Sequence, residues 1–383
     1  MPRRGWFLAM PLVLALACAA PPAASPSAKP AGARPESAGA SAPAAAPSGA
    51  APATAPAASA PTASEPTKVI VGHFPATHSS GLYIAYERGY FAEVGIDVDL
   101  TPIYGLPEAG VLMSTGQMDV YGGGTGAALY NAVSRGIGLR AVADKAHSEA
   151  GVKYKGFMAR KDLWDSGEIR TIAALRGRPI VANPGGGGTD YQLETVLQTA
   201  GMTLQDIDFR GMAVPDQLAA LANKGADAAF LFQPAMCTAE KLNLAVVIPP
   251  LLDEVAPGLQ GGVINYADHF AREKPAVARE MMVAYLRGIR DYNDAQLHQV
   301  NRASVVQIMQ KYVTLPDISY YDDCEWGRVN PDGKIDRRWI EDEMQWSVKV
   351  GLLDKLVPVD QLVDDSYVDY ALAKLGPYRP ASR

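Results

Sequence analysis

Apolar residues in the middle of the chain follow two periodicities in turn. Residues 68–72 (KVIVG) and 96–100 (IDVDL) form short apolar or alternating runs, which predict β-strands. Between them, residues 81–94 place apolar side chains at helical intervals, and the pattern stops at Gly95. Strand and helix patterns continue to alternate along the chain. This alternation predicts an α/β fold with largely parallel sheets flanked by helices.

The strand patterns fall into two groups. Residues 156–163 (GFMARKDL) predict a strand that leaves the first group, and the apolar run GGVINYADHF predicts a strand that returns to it. Beyond this run the patterns are helical only. We therefore expect two lobes, the first formed by residues 68–157 and 263–383 and the second by residues 158–262. Ligands of parallel sheets bind outside the carboxyl ends of the strands.

Two glycine loops follow strand patterns and precede helix patterns. The longer one is residues 185–188, and the shorter one is residues 122–125 (GGGT). Thr189 and Gln192 have the spacing of a capping box, so we expect Thr189 to cap the helix that follows the longer loop. Such loops direct backbone N–H groups at a ligand. The alternative is two ordinary turns in which glycine supplies a positive φ.

Composition narrows the choice of partners. The chain has 383 residues, 48% of them hydrophobic and 20% charged, with a formal net charge of −6 and no basic cluster. Nucleic acid is therefore excluded as an expected partner. None of the five histidines lies three or four residues from another, which argues against a zinc site. We expect neither a metal nor a cofactor.

The N-terminus predicts export. Residues 1–18 comprise Arg3 and Arg4, an apolar run too short to span a membrane, and Cys18. The end of this run resembles a bacterial lipobox, which implies that Cys18 is lipidated; cleavage without lipidation is the alternative. Residues 19–67 are almost wholly Ala, Pro, Ser, Gly and Thr, which predicts a disordered tether. We expect an extracytoplasmic protein anchored by lipid to the cell membrane.

The two other cysteines, Cys237 and Cys324, lie in apolar or aromatic segments. An exported protein can form a disulfide, but we expect two separate buried thiols.

The folded part of the chain resembles the solute-binding proteins of ABC importers, in the class that includes nitrate, alkanesulfonate and thiamine-pyrimidine binders. The resemblance covers about residues 68–378. Its motifs, in order, are GLYIAYERGYFAEVGIDVDL, LMSTGQMDVYGGGTG, QLAALANKGADAAFLFQP and VPVDQLVDDSYVDYALAKLG. The resemblance implies a two-lobed periplasmic binding protein (type 2) whose lobes are joined by crossover strands and close on a ligand by a hinge. The order of lobe, crossover, lobe and return along the chain predicts this hinge near residues 155–158 and 261–265. The resemblance further implies a monomer without catalytic activity that passes a small molecule to membrane permease subunits.

The segment FPATHSSGLY at residues 74–83 resembles the ligand loop of the thiamine-pyrimidine binders. It favours a vitamin-type aromatic heterocycle, either a thiamine pyrimidine precursor or riboflavin, stacked on aromatic side chains. Sulfonate, taurine or nitrate is the alternative, since the glycine loops suit an anion; Asp190, beside the longer loop, argues against it. An exported enzyme is a more distant alternative. The nearest aromatic candidates are Tyr83, Tyr104, Tyr121, Tyr191, Phe232 and Tyr266.

The predicted ligand-binding residues come from these loops and from the ends of the strand patterns. They are Phe74, Thr77, His78, Ser79, Ser80, Tyr104, Gly124, Thr125, Gly187, Gly188, Thr189, Asp190, Tyr191, Phe232 and Gln233.

Overall fold

A computed structural model describes residues 65–184 and 188–381. The predicted signal segment, Cys18 and almost all of the predicted tether lie outside the described residues. The strands are β1 Thr67–His73, β2 Ile96–Pro102, β3 Val120–Gly123, β4 Leu139–His147, β5 Lys155–Arg160, β6 Pro179–Ala182, β7 Asp208–Gly211, β8 Ala228–Phe232, β9 Ala245–Val247 and β10 Gln260–Ala267.

Helices connect and cover these strands. They are α1 Ser80–Glu87, α2 Tyr90–Glu93, α3 Leu106–Ser114, α4 Ala127–Ser134, α5 Lys161–Asp165, α6 Gly188–Leu197, α7 Val214–Ala222, α8 Ala235–Lys241, α9 Leu252–Val255, α10 Asp268–Glu273, α11 Pro275–Leu297, α12 Arg302–Met309, α13 Tyr320–Asp323, α14 Arg337–Lys349, α15 Val359–Leu362 and α16 Ser366–Leu375. Within the part of the chain that the structure describes, no helix is long and apolar enough to cross a membrane.

Two five-stranded sheets define the two lobes. The first sheet has the order β2-β1-β3-β10-β4 and the second the order β7-β6-β8-β5-β9. In the first sheet, β1 pairs in parallel with β2 and β3, whereas β10 pairs antiparallel with β3 and β4. In the second, β6 pairs in parallel with β7 and β8, whereas β5 pairs antiparallel with β8 and β9. Each sheet thus has one strand that runs against the other four.

The predicted α/β fold class is confirmed, and the reversed strands explain why the pairing is mixed. The chain leaves the first sheet after β4 and enters the second through β5, and it returns from β9 through β10. The two reversed strands are therefore the ones that enter a sheet from the other lobe. The predicted hinge ranges 155–158 and 261–265 fall inside β5 and β10, each hydrogen-bonded on both sides. The connecting segments 148–154 and 248–259 are accordingly the expected pivots.

The core of the first lobe extends into the C-terminal helices. The first-sheet strands, α1 and α11 share one cluster of buried apolar side chains. Helices α1 and α11 can approach closely because Gly288 has no Cβ. A Cβ at this position would clash with the carbonyl oxygen of Gly81. This contact fixes α1, and with it the loop between β1 and α1 that faces the other lobe.

The structure corrects the prediction of two separate thiols. Cys237 of α8 and Cys324, which follows α13, form a disulfide with a Cα–Cα distance of 5.7 Å. Helix α8 packs in a core cluster of the second lobe, whereas Tyr321 of α13 belongs to the core of the first. The disulfide therefore links the two lobes. The sequence segments around both cysteines are apolar because the contact that they form between the lobes is buried.

Candidate functional site

A cavity of about 430 Å³ lies between the facing edges of the two sheets. Residues that follow the carboxyl ends of β1, β3 and β6 line it, as expected for parallel strands. The reversed strands contribute their opposite ends, with Lys155 as the first residue of β5 and Gly261 as the second of β10. Both lobes therefore contribute to the wall of the same cavity. The volume of this cavity suits a small organic molecule.

The structure places the predicted site residues in two groups. Those that line the cavity are Phe74, His78, Tyr104, Gly124, Thr125, Gly188, Thr189 and Phe232. Those outside the cavity wall are Thr77, Ser79, Ser80, Asp190, Tyr191 and Gln233. Gly187 lies outside the described residues.

The second group supports the loops from behind. Ser79 Oγ donates to the carbonyl oxygen of Phe74 at 2.6 Å, which closes the turn between β1 and α1. The side chain of Gln233 is buried and bonds backbone atoms of Lys153 and Cys237. Tyr191 packs against Trp346 with 5.6 Å between ring centroids. Nothing in the sequence indicated which side chains of these segments point into the cavity.

Two of the tyrosines predicted to stack on the ligand belong to the core of the first lobe instead. Tyr83 is fully buried, stacks on Tyr312 with 4.3 Å between ring centroids and hydrogen-bonds His73. The Tyr266 hydroxyl donates to the carbonyl oxygen of Ala278 at 3.0 Å. Tyr121, by contrast, lines the cavity.

Aromatic rings from both lobes form one side of the cavity. Phe74 lies 6.2 Å from Tyr104 and 6.1 Å from Phe232 between ring centroids, in edge-on and tilted arrangements. Tyr104 is 70% exposed and stands at the opening. Together these rings offer an apolar surface on which a flat molecule can stack.

His78 stands beside this aromatic surface in its neutral form. Its Nδ1 hydrogen-bonds the hydroxyl of Tyr154, another cavity residue. Burial lowers the pKa of His78 well below its usual value, and the charges of Lys145 and Lys155 lower it further. A neutral imidazole leaves Lys155, whose ammonium lies 5.5 Å from the Phe232 ring centroid, as a cationic group beside the aromatic wall.

Helix N-termini face the cavity from both lobes. Gly124 and Thr125 lead into α4, and Gly188 is the first residue of α6. The prediction that Thr189 is the N-cap is wrong, because Thr189 lies inside the first turn of α6. Its neighbour Asp190 also lies in this turn, away from the cavity wall. The positive ends of two helix dipoles are thus directed toward the ligand space.

The sequence patterns did not indicate two lysines of the cavity wall, one from each sheet. Lys145 of β4 is 1% exposed, and Lys155 begins β5; both line the cavity. Burial lowers the pKa of Lys145 to about 7 and that of Lys155 to about 8. The Lys155 ammonium donates to Gln192 and lies 5.5 Å from the ring centroid of Phe232. A lysine inside the apolar strand pattern LRAVADKA was the available signal.

The described residues show no metal-binding cluster and no ion pair at the two cavity lysines. Across residues 65–184 and 188–381, no group of three or more His, Cys, Asp or Glu side chains is arranged to hold a metal ion. No carboxylate in these ranges forms an ion pair with Lys145 or Lys155. The two lysines and the helix N-termini therefore give the cavity a positive character that suits an anion.

Comparisons with known proteins agree with this architecture. A family model described as NMT1/THI5 like matches residues 76–295. The search of curated proteins found no match.

Three solved structures illustrate the fold. The nitrate-binding protein NrtA from Synechocystis PCC 6803 is 14% identical, with a TM-score of 0.65 over 82% of this chain and 90% of that one. The alkanesulfonate-binding protein SsuA from Xanthomonas axonopodis pv. citri, bound to MOPS, is 18% identical, with a TM-score of 0.62 over 79% and 99%. The ligand-binding component of an ABC-type import system from Staphylococcus aureus is 16% identical, with a TM-score of 0.62 over 80% and 99%. At these identities the likeness establishes the fold.

Proposed function

Because this chain belongs to the NMT1/THI5-like family, we propose that it is the extracytoplasmic solute-binding component of an ABC importer, which captures a small molecule between its lobes. The observation that carries the proposal is the cavity whose walls come from both sheets. Solved proteins of the same fold include a nitrate binder and an alkanesulfonate binder. In this function the chain acts as a monomer, is anchored through lipidated Cys18, and delivers its ligand to permease subunits.

The charges in the cavity favour an organic anion as the ligand. Lys145 is buried and Lys155 is part-buried, both face the cavity, and no ion pair joins either of them to a described carboxylate. A buried cation without a counter-ion is destabilising, so an anionic group between the lysines would compensate both. Each charge-assisted hydrogen bond contributes about 1.5–3 kcal/mol. The helix N-termini at Gly124–Thr125 and Gly188 add positive potential to the same space.

The aromatic wall of the cavity favours a particular shape for the uncharged part of the ligand. Phe74, Tyr104 and Phe232 favour a flat apolar body attached to the anionic group. An aryl or alkyl sulfonate or a carboxylate satisfies both halves of the cavity. Asp190, which argued against an anion at the level of sequence, lies outside the cavity wall.

A vitamin-type heterocycle is the second candidate, supported by the same aromatic wall. A thiamine pyrimidine or riboflavin ring would stack on Phe74 and Phe232. An uncharged ring would offer neither lysine ammonium group a charge to pair with inside the cavity. We therefore place the anion first and the heterocycle second.

A thermal-shift panel with the purified protein separates these possibilities. Benzenesulfonate, benzoate, taurine, nitrate, riboflavin and a thiamine pyrimidine should be tested in an amine buffer, because sulfonate buffers are themselves candidate ligands. A bound ligand at a hundredfold excess over its Kd stabilises by about 2.7 kcal/mol, or several degrees in Tm. We expect shifts from the organic anions. Shifts from the heterocycles alone would overturn the anion assignment, and turnover of a bound compound would favour the exported enzyme.

A further inference from the structure

A buried carboxyl group lies behind the cavity, on a helix that does not follow either glycine loop. Glu343 of α14 is 2% exposed. Its Oε2 accepts a hydrogen bond from the Tyr130 hydroxyl at 2.6 Å. Its Oε1 is also buried, and it has no hydrogen-bond partner among the described residues. One oxygen of this carboxyl is thus satisfied and the other is available for a proton.

The unpaired oxygen adjoins two residues of the cavity wall. A Cβ on Gly188 would lie 3.3 Å from Glu343 Oε1 and would clash with the carbonyl oxygen of Thr125. Thr125 Oγ1 is likewise buried without a partner in the described part of the chain. Gly188 and Thr125 belong to loops of different lobes, and both line the cavity. Glu343 therefore lies where the two lobes meet behind the ligand space.

The charge on Glu343 competes with the charge on the ligand. Gly188 begins the ten-residue helix α6, whose N-terminus is partially positive. An ionised Glu343 would use this positive potential and that of Lys155, which an anion in the cavity also needs. The other groups near Glu343 are Tyr130 and Thr125 on the α4 side and Tyr191 on α6, while Asp342 neighbours it on α14 and Asp360 lies on the adjacent α15.

We propose that Glu343 is a proton-linked positioning residue, and that the cavity binds an anion in the state in which Glu343 Oε1 carries a proton. The inference rests on the proposed function of the cavity, and it adds regulation of that site by pH. Binding then takes up a proton, and affinity falls as Glu343 ionises. Burial supports this, since it raises the pKa of Glu343 to about 7 against the opposing effects of Tyr130, Thr125 and Lys155.

The lysines contribute to the same pH dependence, so a variant must isolate Glu343. An anion also favours the charged forms of Lys145 and Lys155, whose pKa values are lowered to about 7 and 8. Glu343→Gln keeps the side-chain shape and an oxygen that accepts from Tyr130, but it cannot ionise. Glu341→Gln is the matched control, because Glu341 lies on the same helix and is exposed.

The experiment is calorimetric titration of the full chain with benzenesulfonate, benzoate and nitrate at pH 6 and pH 8. Two amine buffers of different ionisation enthalpy report the protons taken up. For the wild type we expect Kd to weaken by about tenfold per proton and per pH unit above the midpoint. Glu343→Gln should bind several-fold more tightly than the wild type at pH 8 and take up fewer protons, whereas Glu341→Gln should match the wild type.

The possible results separate the two proposals. Equal pH dependence and proton uptake in Glu343→Gln and the wild type would overturn the role of Glu343 and leave the anion site intact. A wild type that binds none of the three anions at either pH would overturn the anion site and this inference with it. Should Glu343→Gln fail to fold, Tyr130→Phe serves instead. It removes the bond that stabilises the ionised form, so the midpoint of the pH dependence should move upward; an unchanged midpoint would contradict the proposal.

Discussion

Lys145 and Lys155 face one cavity from strands of different sheets. They lie at opposite ends of the segment that carries the chain from the first lobe to the second. An anion that contacts both would connect the lobes electrostatically, so ligand charge and lobe closure become coupled.

Lys145→Met and Lys155→Met should each weaken anion binding, by roughly tenfold to a hundredfold, because each removes a charge-assisted contact. Calorimetry with benzenesulfonate at pH 6.5 measures the loss. Lys161→Met is the control, since Lys161 is a half-exposed lysine that pairs with Asp165 away from the cavity. An undiminished affinity in both cavity variants would contradict the anion assignment.

Lys145→Met should also change the stability of the ligand-free protein in a pH-dependent way. The pKa of Lys145 is lowered from 10.5 to about 7 by burial, so the folded state binds fewer protons than the unfolded state between these values. The charged lysine therefore costs stability at low pH, and the cost fades as pH rises from 7 toward 10. The variant should have a higher Tm than the wild type at pH 6, and the difference should shrink by pH 9.

The raised pKa of Glu343 predicts the opposite dependence of stability on pH. Its folded pKa is raised from 4.5 to about 7, so the folded state binds more protons and stability falls as pH rises through this window. Melting curves of ligand-free protein at pH 5 and pH 8 should show a loss in the wild type that Glu343→Gln lacks. The exposed Glu341→Gln should follow the wild type, and an identical loss in all three proteins would refute the expectation.

The sequence predicted the strands better than it predicted the site. Strand and helix periodicities located β1, β2 and the glycine loops because these signals are local. The direction of β5 and β10 depends on the crossover between lobes, which no local pattern encodes. Lys145 resembles a solvent-facing strand residue in the sequence, and only the folded chain shows that it is buried at the cavity.

Local sequence patterns carry no information on distant contacts, and this also explains the wrong predictions at single residues. Thr189 has the spacing of a capping residue, yet α6 begins one residue earlier, at Gly188. Cys237 and Cys324 are 87 residues apart, one in α8 and the other just after α13, and these segments meet only in the folded chain. Glu343 lies on a charged amphipathic helix, where only the structure distinguishes it from the exposed Glu341 and Asp342.

Removing the disulfide should loosen the contact between the lobes. A Cys237→Ser/Cys324→Ser double variant should lose up to about 4 kcal/mol of stability, since the bridge closes a long loop. Its radius of gyration by small-angle scattering should exceed that of the wild type without ligand and decrease when an anion binds. Melting of the wild type with and without reductant provides the control, and equal Tm and radius in all samples would contradict this role.

Cys18→Ser tests the anchor. The apolar run that ends at Cys18 and the segment rich in Ala, Pro and Ser that follows it predict lipidation. In cell fractionation the wild type should remain with the membranes, and the variant should appear in the soluble extracytoplasmic fraction. A wild type that is already soluble there would show that the signal is simply cleaved.

The disulfide between the lobes has a consequence for the third cysteine. The chain has three cysteines, and pairing Cys237 with Cys324 leaves Cys18 as the odd one. In an oxidising compartment, a free Cys18 thiolate on a long tether would be able to attack the bridge and exchange partners. A Cys18 sulfur that carries a lipid has no thiolate. Acylation would therefore protect the bridge between the lobes from thiol exchange as well as hold the protein at the membrane.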